Sequence, residues 1–292
     1  MFRGTFTALV TPFRDGRIDF AAFEQLIENQ IAAGITGIVA VGTTGESPTL
    51  SHQERQELVR VSIATARKRC LVLAGTGSNA TQHTVADTKM AEELGADGAL
   101  LVAPYYNKPS QEGLFRHFTT IARATSLPIL LYNIPGRCGV DIAPDTVTRL
   151  ASECSSVVSI KEASGSVDRV SELRARLPKA FTILSGDDSL TLPFMSVGAV
   201  GVVSVASNLF PSEVCALVKA YECGDVKLAF NLHRKMFPLF KDLFIEPNPV
   251  PVKTALAWRG QMSNEVRLPL CEMSDANQAR LLKTLDAFER EK

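Results

Sequence analysis

Short apolar runs rich in β-branched residues alternate along this chain with longer amphipathic stretches. Eight such runs follow one another at intervals of about 25–30 residues, which is the spacing of strand–helix units in a (β/α)8 (TIM) barrel. A barrel of this kind needs about 250 residues, and the chain has 292. These observations predict an α/β fold, a TIM barrel with a C-terminal helical extension.

Each apolar run has the length of a buried strand in a parallel sheet. The predicted strands are Gly4–Leu9, Gly37–Val41, Leu71–Ala74, Ala99–Ala103, Ile129–Tyr132, Val157–Lys161, Thr182–Ser185 and Val200–Val205. The helices predicted between them are Ala21–Ala33, Gln53–Ala66, Thr81–Leu94, Gln111–Ala124, Pro144–Ala151 and Val167–Leu177. Ser51 followed by Glu54 predicts a capping box, and Gly95 predicts a helix C-cap.

Residues 1–210 are predicted to form the barrel core, and residues 211–292 the barrel-closing helix and a helical appendage. The helical patterns of the second part cover Ser212–Cys223, Asp225–Phe240, Val252–Trp258 and Asp275–Glu289. The stretch from Ser189 to Ser212 carries no charged residue. Its prolines, glycines and polar residues suit an interior helix–strand pair better than a membrane-spanning helix.

Composition excludes several classes of partner. Lys and Arg total 31, and Asp and Glu also total 31, so the balance indicates neither nucleic acid nor a membrane surface as a partner. The six cysteines contain no C-x-x-C pair, which favours reduced thiols. The first residues lack the layout of a signal peptide. We therefore expect a cytoplasmic protein.

Lys161 is the strongest candidate for a catalytic residue. It ends an apolar run and precedes Glu162 and three small residues, so it lies at the end of a barrel strand where active sites collect. Burial disfavours the ammonium form, and a neutral lysine can attack a carbonyl to form an imine. By position alone, a lysine that emerges into solvent or pairs with Glu162 remains an alternative.

Other strand ends carry hydroxyls and a cation. Strand two is followed by G-T-T-G-E-S (Gly42 to Ser47), whose donors suit a carboxylate, although a plain tight turn is the alternative. Tyr132 ends strand five, one strand away from Lys161. Arg137 follows it and suits bidentate recognition of a carboxylate, with a surface salt bridge as the alternative. The tyrosines of P-Y-Y-N-K-P-S-Q-E-G, after strand four, suit proton relay, core or interface.

Phosphate, metal and nucleotide chemistry are not indicated. Strand seven is followed by S-G-D-D (Ser185 to Asp188), and adjacent aspartates would repel a phosphate. The four histidines lack the spacing of metal ligands, and no G-x-G-x-x-G opens a helix. We expect no metal and no cofactor. A neutral lysine with a nearby phenol suits condensation with a 2-oxo acid through carbinolamine, imine and enamine.

Motifs along essentially the whole chain resemble the dihydrodipicolinate synthase family of the pyruvate-dependent class I aldolases. They are G-T-F-T-A-L-V-T-P-F, G-T-T-G-E-S, A-G-T-G-S-N-A-T, P-Y-Y-N-K-P-S-Q-E-G, Y-N-I-P-G-R-C-G, I-K-E-A-S-G, S-G-D-D and N-P-V-P-V-K. The resemblance implies a lyase that condenses pyruvate with L-aspartate 4-semialdehyde, the first committed step of lysine and diaminopimelate biosynthesis. It also implies a homotetramer built as a dimer of dimers.

The resemblance implies a role for each matching residue. Lys161 forms the Schiff base with pyruvate, and Tyr132 relays protons at that imine. Thr43 links Tyr132 to Tyr106, which is expected to reach into the site of a neighbouring subunit. The residues implied in substrate binding are Thr44 for the pyruvate carboxylate, Gly186 and Val203 for the pocket lining, and Arg137 for the carboxylate of the semialdehyde.

A feedback site for L-lysine is implied at the dimer interface. Its matching positions are Ser47, Pro48, Leu50, His52, Arg55, Asn79, His83 and Tyr105. Lysine-inhibited bacterial relatives typically have histidine at the position of Arg55 and glutamate at that of His83. These departures predict weak or absent inhibition by L-lysine. Cys138 also departs from the family, which usually has threonine beside Arg137.

Three other functions stay open on the sequence. N-acetylneuraminate lyase and keto-deoxy-sugar-acid aldolases share the lysine and the tyrosine but lack the loop arginine, so Arg137 favours the synthase. A barrel enzyme for a phosphorylated metabolite conflicts with S-G-D-D. A non-catalytic barrel that only binds a ligand conflicts with the complete set of lysine, tyrosines, threonine and arginine.

Overall fold

The computed structural model describes residues 2–290, and its centre is a closed barrel of eight parallel strands. The strands are β1 Gly4–Ala8, β2 Gly37–Ala40, β3 Leu71–Gly75, β4 Gly98–Val102, β5 Ile129–Asn133, β6 Val157–Glu162, β7 Thr182–Ser185 and β8 Gly201–Ser204. Neighbouring strands in the chain are neighbours in the barrel, and β1 pairs with both β2 and β8. All eight predicted strands and the predicted fold class are confirmed.

One helix of the outer ring follows each strand. These helices are α1 Phe20–Ala32, α2 His52–Ala66, α3 Thr81–Leu94, α4 Gln111–Ala122, α5 Pro144–Glu153, α6 Val167–Arg176, α7 Thr191–Ser196 and α8 Pro211–Glu222. The capping box of α2 is confirmed: Ser51 Oγ accepts from Glu54 N at 3.2 Å, and Glu54 Oε2 accepts from Ser51 N at 2.8 Å. Gly95 caps α3 with φ of 90°, a left-handed conformation that favours glycine.

The uncharged stretch from Ser189 to Ser212 contains α7 and β8, as the predicted helix–strand pair requires. Within residues 2–290, no helix combines the length and apolar character needed to cross a membrane. Three further helices complete the C-terminal part, namely α9 Val226–Asp242, α10 Val250–Trp258 and α11 Asp275–Arg290. They begin and end within a few residues of the predicted bounds.

Besides three short 3-10 turns, a hairpin and a one-turn helix were not predicted. A two-stranded hairpin pairs Phe13–Arg14 with Arg17–Ile18, and a one-turn helix covers Pro135–Cys138. Arg137 therefore lies in a helical turn, not on the irregular loop that the sequence suggested. Pro135 occupies the first turn, and Gly139 ends it with φ of 69°; these residues favour a helix start and a helix end.

The barrel interior is a separate apolar cluster from the strand–helix core. It contains inward-facing side chains of most of the strands, including Phe6, Leu73, Leu130, Leu184 and Val203. Successive residues of a strand face opposite sides of a sheet, so one set of residues fills the barrel while the next set packs under the helices. This alternation decides which polar residues near the strand ends enter the site.

Candidate active site

Lys161 faces the barrel interior near the end of β6. Only 5% of its surface is exposed, and Tyr132 is its register partner on β5. Its Nζ atom lies 4.0 Å from the centroid of the Tyr132 ring. Burial is the main cause that lowers the pKa of Lys161 to about 7, while Asp188 opposes the shift and Arg137 adds to it. A large share of such an amine is neutral near physiological pH.

Neither alternative for Lys161 agrees with the structure. Its side chain is buried, so it does not emerge into solvent. Glu162 is its neighbour in the chain and faces the opposite side of the sheet, where its carboxylate pairs with Arg169 at 2.8 Å. Alternation along the strand separates the two side chains.

Thr43 lies close to the Tyr132 hydroxyl, and its influence on the pKa of the tyrosine opposes that of burial. Burial dominates and raises the pKa of Tyr132 well above its usual value, so the phenol keeps its proton in the resting site. The turn that presents Thr43 starts at Val41, whose φ of 58° is strained for a β-branched residue. Gly75 leaves room for this turn, because a Cβ there would lie 2.3 Å from Val41 O.

Thr44 is buried and receives a hydrogen bond from a distant segment. Its Oγ1 atom accepts from Asn248 Nδ2 at 3.0 Å. Two residues later, Glu46 forms a fully buried ion pair with Lys253 of α10, with 2.6 Å between Oε1 and Nζ. Lys253 Nζ also donates to Thr11 O at 2.9 Å. The C-terminal extension therefore fixes the turn between β2 and α2.

Gly186 and Val203 are placed beside the lysine end of the barrel. A Cβ added to Gly186 would lie 3.1 Å from Lys161 Cε, so any larger residue would press on the lysine. Val203 belongs to the same interior cluster as Tyr132. The structure brings both predicted pocket residues to the interior that contains Lys161.

Arg137 lies at a cavity of about 210 Å³ that opens beside the strand ends. Thr43 and Cys138 line the same cavity, and Arg137 Nη2 donates to Asn248 O at 3.4 Å. The alternative of a surface salt bridge does not apply, because this contact goes to a backbone carbonyl. A guanidinium in a cavity with polar neighbours suits a carboxylate ligand.

Tyr106 is the one predicted catalytic residue that a single chain does not bring to the others. Its side chain is 90% exposed, and within residues 2–290 its hydroxyl has no hydrogen-bond partner. Its φ of 73° lies in the left-handed region, which is uncommon for a bulky residue and costs free energy. An exposed aromatic ring on strained backbone suits a contact with a second subunit.

The residues of the predicted L-lysine site border the same cavity only in part. Ser47, Pro48, Arg55 and Tyr105 line it, whereas His83 is exposed on α3. The remaining members lie at nearby turns and helix starts, namely Leu50, His52 and Asn79.

Asp87 is a residue of this region that the sequence analysis missed. Its carboxylate pairs with Arg55 at 3.1 Å and with His52 at 3.3 Å. Asp87 lies one helical turn after His83, a spacing that brings the two side chains to neighbouring positions on α3. The positive charge of Arg55 is therefore already compensated in part.

Two further site residues were missed, Asp188 and Asn248. Asp188 is buried, and its Oδ2 atom accepts from Val205 N at 3.0 Å and from Ala206 N at 2.9 Å. Burial raises its pKa to about 6, and its charge acts on Lys161. The acidic pair of S-G-D-D was a usable signal for Asp188. Asn248 begins the motif N-P-V-P-V-K, which marks the position but does not indicate that its side chain reaches Thr44.

Within the described chain, no group of three or more histidine, cysteine, aspartate or glutamate side chains is arranged to hold a metal ion. The groups at the barrel end are an amine, a phenol, hydroxyls and a guanidinium. A (β/α)8 barrel with a buried, readily deprotonated lysine beside a tyrosine defines a lyase of the class I aldolase type, which works through a Schiff base.

The chain belongs to the dihydrodipicolinate synthetase family, whose model matches residues 1–288. It is 50% identical to 4-hydroxy-tetrahydrodipicolinate synthase of Endomicrobium trichonymphae over 288 residues, which are 99% of each chain. It is 59% identical to the 4-hydroxy-tetrahydrodipicolinate synthase structure from Methylacidiphilum fumariolicum SolV, with a TM-score of 0.99 and coverage of 100% of this chain and 97% of that one.

A second similar structure is the chloride-inhibited dihydrodipicolinate synthase from Acinetobacter baumannii complexed with pyruvate. It is 42% identical, with a TM-score of 0.97 and coverage of 99% of each chain. The predicted family is therefore confirmed. Membership of this family argues against the two alternatives of a phosphate-handling barrel and a non-catalytic barrel.

Proposed function

We propose that this chain is a 4-hydroxy-tetrahydrodipicolinate synthase that condenses pyruvate with L-aspartate 4-semialdehyde at Lys161. The single observation that carries the proposal is the buried lysine, with a pKa lowered to about 7, against the ring of Tyr132. Relatives that share about half of the sequence are named 4-hydroxy-tetrahydrodipicolinate synthase, and one relative was crystallised with pyruvate.

The first step is addition of the neutral Lys161 amine to the C2 carbonyl of pyruvate. The C–N bond forms, and the carbonyl oxygen takes a proton to give a carbinolamine. Loss of that oxygen as water leaves the iminium ion, and loss of a proton from C3 gives the enamine. Tyr132 is suited to carry these protons, because its phenol is protonated at rest and lies close to Thr43.

Pyruvate is held at the lysine end of the barrel. We assign its carboxylate to Thr44 and the neighbouring backbone N–H groups of the turn between β2 and α2. Gly186 and Val203 line the remainder of the pocket and leave little room around the side chain of Lys161. The bond from Asn248 to Thr44 Oγ1 directs the threonine hydroxyl, so its proton points away from Asn248.

The second substrate is assigned to Arg137. Its guanidinium lies at the cavity beside the strand ends and suits the carboxylate of L-aspartate 4-semialdehyde. The enamine carbon attacks the aldehyde carbon and forms the C–C bond, while the aldehyde C=O π bond opens and its oxygen takes a proton to become a hydroxyl. The amine of the semialdehyde then adds to the iminium carbon, closes the ring and releases Lys161 as the free amine.

The exposure of Tyr106 supports the proposal that the enzyme is an oligomer. Its exposed ring suits entry into the site of a neighbouring subunit, where it would extend the hydroxyl relay through Thr43. We propose a homotetramer built as a dimer of dimers in the cytoplasm. We also propose that Ser47, His52, Arg55, Asn79, His83 and Tyr105 border an L-lysine site at the dimer interface, with weak affinity for the effector.

Borohydride reduction in the presence of pyruvate tests the proposed function. Intact mass should increase by one reduced pyruvyl unit, and peptide mapping should place it on Lys161. Turnover should require both pyruvate and L-aspartate 4-semialdehyde. Trapping on another lysine, or trapping that survives in Lys161→Ala, would refute the assignment. Cleavage of N-acetylneuraminate at a comparable rate would favour the sister lyase.

A further inference from the structure

Four polar side chains, three of them largely buried and one half-exposed, form a network directly behind the site. They are Asn133, Asp141, Glu162 and Arg169, here called the Arg169 cluster. Glu162 and Asn133 are completely buried, and the Arg169 side chain is 10% exposed. Charged groups are placed in such surroundings at a cost, which is offset only when each has several partners.

Arg169 of α6 connects two separate parts of the barrel. Its Nε atom donates to Glu162 Oε2 at 2.8 Å, and its Nη1 atom donates to Asp141 Oδ2 at 3.0 Å. A third bond joins Nη2 to the backbone carbonyl of Ile142. The planar guanidinium fixes the directions of all three bonds together. The end of β6 is therefore held in register with the segment that follows Arg137.

Asn133 connects the two ends of the segment that contains Arg137. Asn133 is the last residue of β5, and its Oδ1 atom accepts from Ile142 N at 3.0 Å. Its Nδ2 atom donates to Asp141 Oδ1 at 2.8 Å and to Glu162 Oε1 at 3.1 Å. One side chain thus joins both ends of the excursion that carries Arg137 and ties them to β6.

The alternation of side chains along β5 and β6 places the cluster directly behind the reacting groups. Asn133 immediately follows Tyr132 on β5, and Glu162 immediately follows Lys161 on β6. Across the two strands, Tyr132 is paired with Lys161 and Asn133 is paired with Glu162. Because successive side chains face opposite sides of the sheet, the inner pair forms the site while the outer pair is bonded in the cluster.

We propose that the Arg169 cluster consists of positioning residues that set the distance between the imine site at Lys161 and the carboxylate site at Arg137. The two sites receive different substrates, and the reaction needs the bound aldehyde to meet the enamine carbon at bonding geometry. Asp141 acts on the Arg137 side, Glu162 acts on the Lys161 side, and Arg169 joins them. This inference rests on the proposed function.

The two sides of the cluster predict different kinetic defects. Asp141→Ala should raise the KM for L-aspartate 4-semialdehyde by about tenfold or more, because the Arg137 segment loses its anchor. The rate of imine formation with pyruvate should stay unchanged. Glu162→Gln should slow imine formation, because the end of β6 loses its ion pair with Arg169 of α6. Arg169→Lys should retain part of both functions.

The matched control is Arg176→Lys on the same helix. Arg176 also forms ion pairs, with Asp145 and with Glu172, but these pairs are exposed and involve no residue of the site. In Arg176→Lys, the rate of imine formation and the KM for the semialdehyde should both equal those of the unchanged protein. Melting curves of all four variants separate loss of folding from loss of positioning.

Rapid mixing with pyruvate followed by quenching with borohydride measures the rate of imine formation. A coupled assay measures the KM for the semialdehyde. The expected split between Asp141→Ala and Glu162→Gln supports the proposal. Equal losses of both quantities in parallel with melting temperature, or no change in either variant, would overturn it. If Glu162→Gln does not fold, Asp141→Ala alone decides, since Asp141 is half-exposed. Absence of pyruvate trapping in the unchanged protein would instead refute the proposed function.

Discussion

Lys161 and Tyr132 are direct partners across β6 and β5, and the lysine amine lies 4.0 Å from the centre of the tyrosine ring. The ring face favours a cation, whereas burial disfavours one. Burial is the larger effect, since the pKa of Lys161 is lowered to about 7. The pair therefore combines an amine that is easily deprotonated with a neighbouring phenol that retains its proton.

The first prediction concerns the pH dependence of imine formation. The rate should rise with pH through about 7 and then level off, because only the neutral amine of Lys161 reacts. Below that point it should fall about tenfold for each pH unit. Borohydride trapping at limiting pyruvate measures this profile. A midpoint near the usual lysine pKa of about 10.4 would contradict a desolvated lysine.

The second prediction is that two substitutions shift this midpoint in opposite directions. Asp188→Asn removes a charge that raises the pKa of Lys161, so the midpoint should move to lower pH. Arg137→Gln removes a charge that lowers this pKa, so the midpoint should move to higher pH. Each profile is compared with that of the unchanged protein at the same ionic strength. Shifts in the same direction would show that the two charges do not act through Lys161.

The third prediction is a gain in stability from Lys161→Met. Between about pH 7 and 10.5, a buried lysine with a lowered pKa binds fewer protons when folded than when unfolded. The stability cost therefore accumulates at about 1.4 kcal/mol per pH unit as the pH falls through this range. This cost is complete below about pH 7 and diminishes as pH rises towards the unfolded value. The variant should be inactive and melt several degrees higher at pH 7, with a smaller gain at pH 9. Melting curves at both pH values check this, and an equal gain at both would disagree.

The fourth prediction separates Arg137 from pyruvate binding. Loss of a charge-assisted pair costs about 1.5–3 kcal/mol, so Arg137→Ala should lower kcat/KM for the semialdehyde by about 10- to 150-fold. Pyruvate trapping, measured above the pH midpoint, should remain near normal. A collapse of trapping with unchanged semialdehyde kinetics would place Arg137 at the other substrate.

The fifth prediction concerns Tyr106 and the assembly. Tyr106→Phe and Lys161→Ala should each be inactive, and mixed subunits should regain part of the activity, because a hybrid dimer contains one intact site. Native mass spectrometry verifies that the subunits have exchanged. Confirmed exchange without any recovered activity would show that Tyr106 acts within its own chain.

Inhibition by L-lysine should be weak, with half-inhibition at millimolar concentration or above at saturating pyruvate. The resemblance implies glutamate at the position of His83 in lysine-inhibited relatives, so we expect one anion that would attract the ammonium groups of the effector to be missing here. Asp87 compensates Arg55, which leaves His83 as the main difference. His83→Glu with Arg55→His should gain sensitivity in an inhibition curve. Sub-millimolar inhibition of the unchanged protein would contradict this interpretation.

The sequence by itself determined the eight strands, most helix bounds, and the position of Lys161, Tyr132 and Thr43 at strand ends. Strand and helix periods and cap residues act over a few residues, so local patterns carry this information. The one-turn helix of Arg137 was missed because four residues contain no period.

Only the tertiary structure decided which distant residues complete the site. Asn248 reaches Thr44 across 204 positions of the chain, and Lys253 reaches Glu46 across 207. No local pattern encodes such pairs, because they depend on how the C-terminal helices pack against the barrel. The same holds for the environment of Lys161: its place in the sequence indicates a strand end, but its pKa follows from the burial and charges that the closed barrel brings around it.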